Sequence, residues 1–314
     1  MQTTEIKMVV RTCPICGSSD ETKVFAQPNF DLSKLDKFAF ASRKLPEYMH
    51  YRLIACPTCD LLYANPIPDL QLIAQAYHEA AFDSSEEAHY ASRTYGRTLL
   101  TVKNRLPDRI GALDIGTGDG AFLEQLLEAG FSAVKGVEPS LAPIQAARPE
   151  IRPLIQHAMF EPQDYLPESL SLISCFQTLE HLYDPLAMCQ AAHSLLKPGG
   201  AVFFVCHNRH ALSAKILGQK SPIFDIEHLQ LFSPQSAKQL LERTGFEQVQ
   251  IKVVFNRYPL HYWLRLLPLP KAIKSSFIKF LIKAKIGAIP VTFPAGNLAV
   301  TGYKKQGGKN ENYL

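Results

Sequence analysis

Three observations in this chain of 314 residues predict an α/β fold in which a mostly parallel sheet is covered by helices on both faces. Short apolar runs alternate with amphipathic stretches from Arg109 onward, the pattern of strands that feed helices on either side of one sheet. A glycine-rich turn, Gly116-Thr117-Gly118-Asp119-Gly120, joins the first of these runs to the first helical pattern. Two Cys-x-x-Cys pairs stand upstream and mark a small lobe of their own.

With 46% hydrophobic and 20% charged residues, the chain can bury one large domain plus a smaller appendage. Its net charge of +4 is too modest to imply a nucleic-acid partner. Met1 to Lys7 lacks the apolar core of a secretory signal. No apolar run approaches the roughly 18 residues of a membrane span. The expectation is a cytoplasmic protein whose seven cysteines are thiols or metal ligands rather than disulfides.

Four of those cysteines form the pairs Cys13-Pro14-Ile15-Cys16 and Cys56-Pro57-Thr58-Cys59. Each pair puts two thiolates on one tight turn, and two such turns close a tetrahedral four-sulfur zinc site. The gap between them exceeds the roughly 15–20 residues of a zinc ribbon, so a segment around Phe30 to His50 must loop out. A lone C-P-x-C also suits a dithiol redox site, yet neither pair stands at a strand-to-helix turn. A filled four-sulfur site leaves no position for substrate, so the predicted zinc is structural. Downstream, Leu61 to Asn65 reads as a strand stopped by prolines and Asp69 to Tyr77 as a helix. Tyr77 and Tyr90 belong either to a substrate lid or to a linker resting on the core.

The core strands are predicted near 110–115, 133–138, 153–156, 170–175, 200–207, 247–255 and 297–304. In an open sheet of this kind ligands bind beyond the carboxyl ends of the strands. Glycines at every second position let the backbone take positive φ and let a ligand come close, and the next helix offers unpaired N–H groups. The third glycine arrives one residue too early for the dinucleotide pattern G-x-G-x-x-G. Asp114 lies in the strand end before the turn, and Glu138 closes the next strand at a distance that suits a carboxylate on ribose hydroxyls. Ser140 follows as a candidate helix cap.

The run Asp114-x-Gly116-x-Gly118-x-Gly120, followed by Gly136-Val137-Glu138-Pro139-Ser140, resembles the class I S-adenosylmethionine-dependent methyltransferases. The resemblance implies a Rossmann-like sheet of seven strands. It also implies a cofactor site made by Asp114, Gly116, Thr117, Gly118, Gly120, Glu138 and Ser140, with Asp114 holding turn N–H groups or the cofactor's amino-acid end through water. Met159 and Phe160 follow the third strand where the family surrounds the adenine ring, and could sandwich it or be ordinary core. Gln177 to Pro185 resembles the segment after the fourth strand, and Leu195 to Gly200 the turn into the fifth. That pattern puts Gln177 beside the sulfonium and turns Glu180 and His181 toward the cofactor edge or the substrate, although His181 also suits a helix start.

Ser233 and Pro234 are a good cap and first residue for a helix that ends at Gly245, so Glu227 and His228 sit in the loop before it. Here the chain is similar to zinc-bearing deoxysugar methyltransferases, which pair a cysteine-rich lobe with a Glu-His pair at this place. Methyl transfer is an in-line displacement, so a protein has to align the nucleophile and take a proton. A histidine with a carboxylate to orient it does the latter, and the same pair could equally anchor the loop.

From Gln248 to Asn310 there is no Asp or Glu, while Arg257, Arg265, Lys271, Lys274, Lys279, Lys283 and Lys285 are interleaved with aromatic and aliphatic residues. Such a segment packs on the core, pairs with a second copy, or lies on an anionic membrane surface. The predicted organisation is a zinc lobe over 1–68, a helical linker or lid over 69–108, a core over 109–255, a basic apolar insertion over 256–295, a last strand over 296–305 and a disordered tail over 306–314. The function expected is methylation of a small molecule, such as a nucleotide- or lipid-linked sugar. An RNA methyltransferase gripping through the lobe is less favoured because residues 1–60 are only mildly basic, and a non-catalytic scaffold because the glycine turn is intact.

Overall fold

The computed structural model describes residues 7–29, 48–78, 82, 85–267 and 270–307. Most of the segment expected to loop out between the cysteine pairs, the Tyr77 side chain and the tail from residue 308 lie outside the described residues. Strands β1 (Met8–Val9), β2 (Val24–Ala26), β3 (Leu53–Ala55), β4 (Leu62–Ala64) and β5 (Ile67–Pro68) lead into helices α1 (Leu70–His78) and α2 (Ser85–Lys103). There follow β6 (Ile110–Ile115), α3 (Ala121–Glu128), β7 (Ser132–Glu138), α4 (Leu141–Ala146), β8 (Ile155–His157), β9 (Leu170–Phe176) and α5 (Pro185–Leu195). The chain continues through β10 (Leu196–His207), α6 (Leu212–Leu217), β11 (Gln230–Leu231), α7 (Pro234–Arg243), β12 (Glu247–Pro259), α8 (Leu260–Leu266), α9 (Lys271–Lys283) and β13 (Pro290–Tyr303).

The predicted seven-stranded sheet is present, in the order β12-β13-β10-β9-β6-β7-β8. Its strands run parallel except β13, which is antiparallel to both β10 and β12. Side chains alternate across it with period two. On β10, Val202 and Phe204 pack with α5 and α7 on one face, while Phe203 and Val205 pack with α2 and α3 on the other. The chain order reverses between β6 and β9, which opens a crevice at their carboxyl ends. The glycine turn leaves β6 there, and Gln177 leaves β9. Ser233 caps α7 through a reciprocal arrangement with Ser236, and Pro234 is its first residue, as the sequence indicates.

Two boundaries differ from the expected ones. The ladder between β12 and β13 runs on to Pro259 opposite Pro290, because each strand supplies the other with a partner beyond the edge of the core. The insertion thus begins as a protruding hairpin whose tip carries α8 and α9. Nor is the lobe self-contained: β11, from the segment after His228, pairs with β4 and joins the sheet β11-β4-β3-β2.

Candidate active site

The turn after β6 is held from below. Gly116 and Thr117 donate N–H bonds to the Val137 carbonyl on β7. Gly116, Gly118 and Gly120 all have positive φ, and their surroundings differ in a telling way. A side-chain carbon at Gly116 or Gly120 would collide with Thr178 or Ile151, whereas nothing lies within 4 Å of that position at Gly118. Gly116 and Gly120 are therefore glycines for packing, while Gly118 presents bare backbone to open space.

Asp114, expected to hold turn N–H groups or the cofactor's amino-acid end through water, is bonded to side-chain hydroxyls. Its carboxylate accepts from the Thr117 hydroxyl at 2.8 Å and the Ser174 hydroxyl at 2.6 Å. Burial pushes it up to about 7 against the pull of these two donors, and the two hydroxyl bonds make it a brace under the turn. Glu138 accepts from the Gly118 N–H and the Ser140 N–H, one on each oxygen, both at 2.9 Å. Burial raises it too, while those donors pull it back. Ser140 occupies the cap position of α4, but its side chain makes no cap bond; its hydroxyl turns to Glu138 instead.

One cavity of about 720 Å³ runs from this turn into the rest of the site. Asp114, Gly116, Thr117, Gly118, Glu138, Ser140, Met159 and Gln177 line it. Phe160 does not belong with them: its ring stacks on Tyr165 at 5.9 Å and packs against the core, so of the expected adenine sandwich only Met159 stands at the cavity. Gln177 has a φ of 51°, and its N–H is held by the Val205 carbonyl, which turns the chain sharply off β9.

His181, Glu227 and His228 meet at the same cavity. Glu227 places one oxygen 3.8 Å from His228 Nε2 and the other 3.9 Å from His181 Nδ1. His228 Nδ1 lies 2.8 Å from the Ile223 carbonyl, which accepts its proton and leaves Nε2 as the basic nitrogen. His181 sits in a turn ahead of α5, whose cap is Asp184, so it is not a helix-start residue. The three side chains have ligand atoms within 4.8 Å of one another and could also hold a divalent ion. Glu180 is not among the residues that line the cavity: fully buried, it accepts from the His207 N–H, and burial lifts it to about 7.

Several residues of the site carried no signal in the sequence. His207, at the end of β10, has its ring centre 5.0 Å from that of His228 and its Nδ1 2.9 Å from the Asn297 amide oxygen. Asn256 is 1% exposed, lines the cavity, and its amide oxygen has no hydrogen-bond partner. The insertion supplies the wall beyond them through Tyr258, Tyr262, Trp263 and Phe293. Residues 69–108, read as linker or lid, contribute Leu70, Ile73, Phe82 and Tyr95 to the cavity lining, while Tyr90 packs near Tyr258.

A family model described as a methyltransferase domain matches residues 88–251, just over half of the chain. This chain belongs to the methyltransferase-domain family. Among curated relatives, this chain is 32% identical over 107 residues to a ubiquinone biosynthesis O-methyltransferase of Histophilus somni, a match covering 31% of this chain and 44% of that protein. The protein of the same description from Pseudomonas aeruginosa is 34% identical over 107 residues, with the same coverage. The matched stretch thus spans less than half the length of these relatives. Solved structures it resembles include an S-adenosylmethionine-dependent methyltransferase from Archaeoglobus fulgidus, 18% identical with a TM-score of 0.47 over 75% of this chain and 100% of that one. Another from Thermotoga maritima is 19% identical, with a TM-score of 0.46 over 69% of this chain and 91% of that one.

Away from the cavity, the chain brings its four paired cysteines together as the spacing indicates. Cys13 and Cys59 sulfurs are 3.4 Å apart, as are those of Cys16 and Cys56. The two turns repeat one hydrogen-bond pattern: Cys13 N–H to Ser18 and Gly17 N–H back to Cys13, then Cys56 N–H to Leu61 and Asp60 N–H back to Cys56. Gly17 and Asp60, the residues after each second cysteine, both have positive φ. The Cys13 thiol is pushed down to about 5, chiefly by its bond with the Cys59 thiol. Tetrahedral zinc with Zn–S bonds of ~2.3 Å separates its sulfurs by ~3.8 Å, so the donor set fits that ion with little movement.

Proposed function

We propose that the methyltransferase moves the methyl group of S-adenosylmethionine onto a small acceptor in this cavity, with His228 taking the proton that the acceptor nucleophile gives up. One observation carries the reading: Glu138 with the bare Gly118 backbone, and His228 with Glu227, line a single cavity. When bound, the cofactor supplies an electrophilic methyl carbon on a positively charged sulfur. The residues that would hold it are Glu138 for ribose hydroxyls, the open backbone at Gly118, Met159 against the base and Gln177 near the sulfur. The neighbouring Glu227 carboxylate stabilises the imidazolium that forms at His228 Nε2, and His181 fixes the other side of that carboxylate.

The acceptor is a small molecule with an ionisable hydroxyl. The curated relatives are named as O-methyltransferases, which favours oxygen over carbon. Of the sugar carriers, a lipid-linked one suits the cavity better than a nucleotide-linked one, because Leu264, Leu266, Leu267 and Phe293 make its far wall apolar. Zinc in the four-cysteine site folds the lobe and takes no part in the chemistry. Calorimetry with S-adenosylmethionine on the metal-replete protein tests the cofactor assignment; a folded protein that binds none would end it. Transfer of a labelled methyl group to a panel of lipid- and nucleotide-linked sugars and phenols then identifies the acceptor, with His228→Ala as the comparison.

A further inference from the structure

The insertion exposes apolar side chains that the core does not use. On α9, Ile273, Phe277 and Phe280 are 59%, 48% and 60% exposed. Their spacings of four and three place them on one helical face, while Leu281 turns inward. Ile286 and Ile289, in the turn that follows, extend the exposed surface. Lys279, Lys283 and Lys285 are exposed beside it, and no acidic residue occurs from Gln248 to Asn310. The Lys274 ammonium bonds the Arg265 carbonyl at 2.8 Å and ties α9 to α8.

We infer that this face of α9 docks the methyltransferase onto an anionic lipid surface. Charge decides between the occupants. A two-fold pairing of this patch with itself would set Lys279, Lys283 and Lys285 against the same lysines, with no acid on the segment to offset them. Anionic headgroups meet the same lysines favourably while the Phe277 and Phe280 rings enter the interface. No helix among the described residues is long and apolar enough to cross a membrane, so α9 lies on the surface. In the same hairpin, Leu267 and Phe293 line the cavity and are themselves 41% and 48% exposed. Docking by α9 would bring that wall to the lipid, where an acceptor with an apolar tail resides. The docking claim stands on the exposed face and its charge, independently of which acceptor is methylated.

The test is co-flotation of the full chain with phosphatidylcholine vesicles, with and without roughly 30% phosphatidylglycerol, at low salt and at about 0.5 M salt. The expected result is binding to the anionic vesicles alone, weakened by salt. The double variant Phe277→Ser/Phe280→Ser and the double variant Lys279→Glu/Lys283→Glu should each bind about tenfold more weakly or worse. Neither pair lines the cavity, so S-adenosylmethionine binding and the melting temperature should stay at wild-type values in both. Three results would overturn the inference: no partition of wild type onto anionic vesicles, equal partition of folded variants, or a wild-type dimer by light scattering that Phe277→Ser/Phe280→Ser converts to monomer. Because cofactor binding is measured on the same samples, a failure of docking is distinguishable from a failure of the catalytic assignment.

Discussion

Replacing Glu138 by Gln removes one charge and one acceptor from the tip of β7 while keeping the side chain's shape. In the structure each Glu138 oxygen takes a backbone N–H at 2.9 Å, from Gly118 and from Ser140. A glutamine offers only one oxygen, so one of those N–H groups would face an amide NH2. The same change weakens the acceptor expected for ribose hydroxyls. Hydrogen bonds to a charged partner contribute about 1.5–3 kcal/mol each. Two weakened bonds would cost about 3–6 kcal/mol, and relief of the burial that already raises Glu138 returns part of this. The net expectation is a loss of about 2–4 kcal/mol, or roughly 30- to 1,000-fold in the dissociation constant for S-adenosylmethionine. Titration calorimetry reads this directly, with circular dichroism to establish that the variant is folded. A folded Glu138→Gln protein that binds within about threefold of wild type would refute the role given to this carboxylate.

Other substitutions separate the remaining roles. His228→Asn should lower kcat by about 10²- to 10⁴-fold without changing cofactor affinity, as measured by labelled-methyl transfer and calorimetry. If activity instead depends on an added divalent ion and is lost to chelators that leave the lobe folded, the His181, Glu227 and His228 set binds metal rather than a proton. Asn256→Ala removes a buried amide oxygen that has no protein partner, so it should raise KM for the acceptor far more than it lowers melting temperature. Burial lifts Glu180 and Asp114 to about 7 from ordinary values of 4.5 and 3.8, so the folded chain binds more protons than the unfolded chain between those limits. The contribution of these two groups to stability therefore falls as pH rises from about 4 to about 7, and relative to wild type Glu180→Gln should lose its share of that slope, up to ~1 kcal/mol per pH unit in denaturant titrations.

What could be read from the sequence was whatever local chemistry dictates. A glycine at positive φ, a strand of alternating or continuous apolar residues, a Ser-Pro helix start and a Cys-x-x-Cys turn each need a particular residue at a particular spacing, so Gly118, β6, α7 and the paired cysteines were visible. Residues recruited by tertiary approach were not. Asn256 and Asn297 reach the same cavity only because β12 pairs with β13, with Val254 opposite Asn297 and Asn256 opposite Phe293, and an asparagine in a strand carries no mark of where it will point. Phe160 and Met159 are neighbours in sequence and strongly apolar, yet successive side chains diverge, and only one reaches the cavity. The insertion was legible as basic and apolar; that its tip would close the acceptor end of the cavity depended on the length of the hairpin, which no local pattern encodes.

The attachment of the lobe has a consequence for how metal and catalysis are linked. Half-buried Arg11 bonds the Ala64 carbonyl on β4 and, at 2.6 Å, the Leu229 carbonyl directly after His228. β11 then pairs with β4, and Arg209 and His210 grip Asp60, the residue after Cys59. Apart from the Arg11–Ala64 bond, which lies within the lobe, these bonds join the cysteine turns or their sheet to the segments that carry His207 and His228. The glycine turn, by contrast, is held by β7 and by Thr117, Ser174 and Glu138, none of which touches the lobe through these bonds. If zinc supplies the energy that folds the lobe, its removal should loosen the His228 segment before the cofactor turn. Mild chelation would then abolish methyl transfer while S-adenosylmethionine still binds. Equal loss of both at the same chelator concentration would mean that the lobe and the core unfold as one unit.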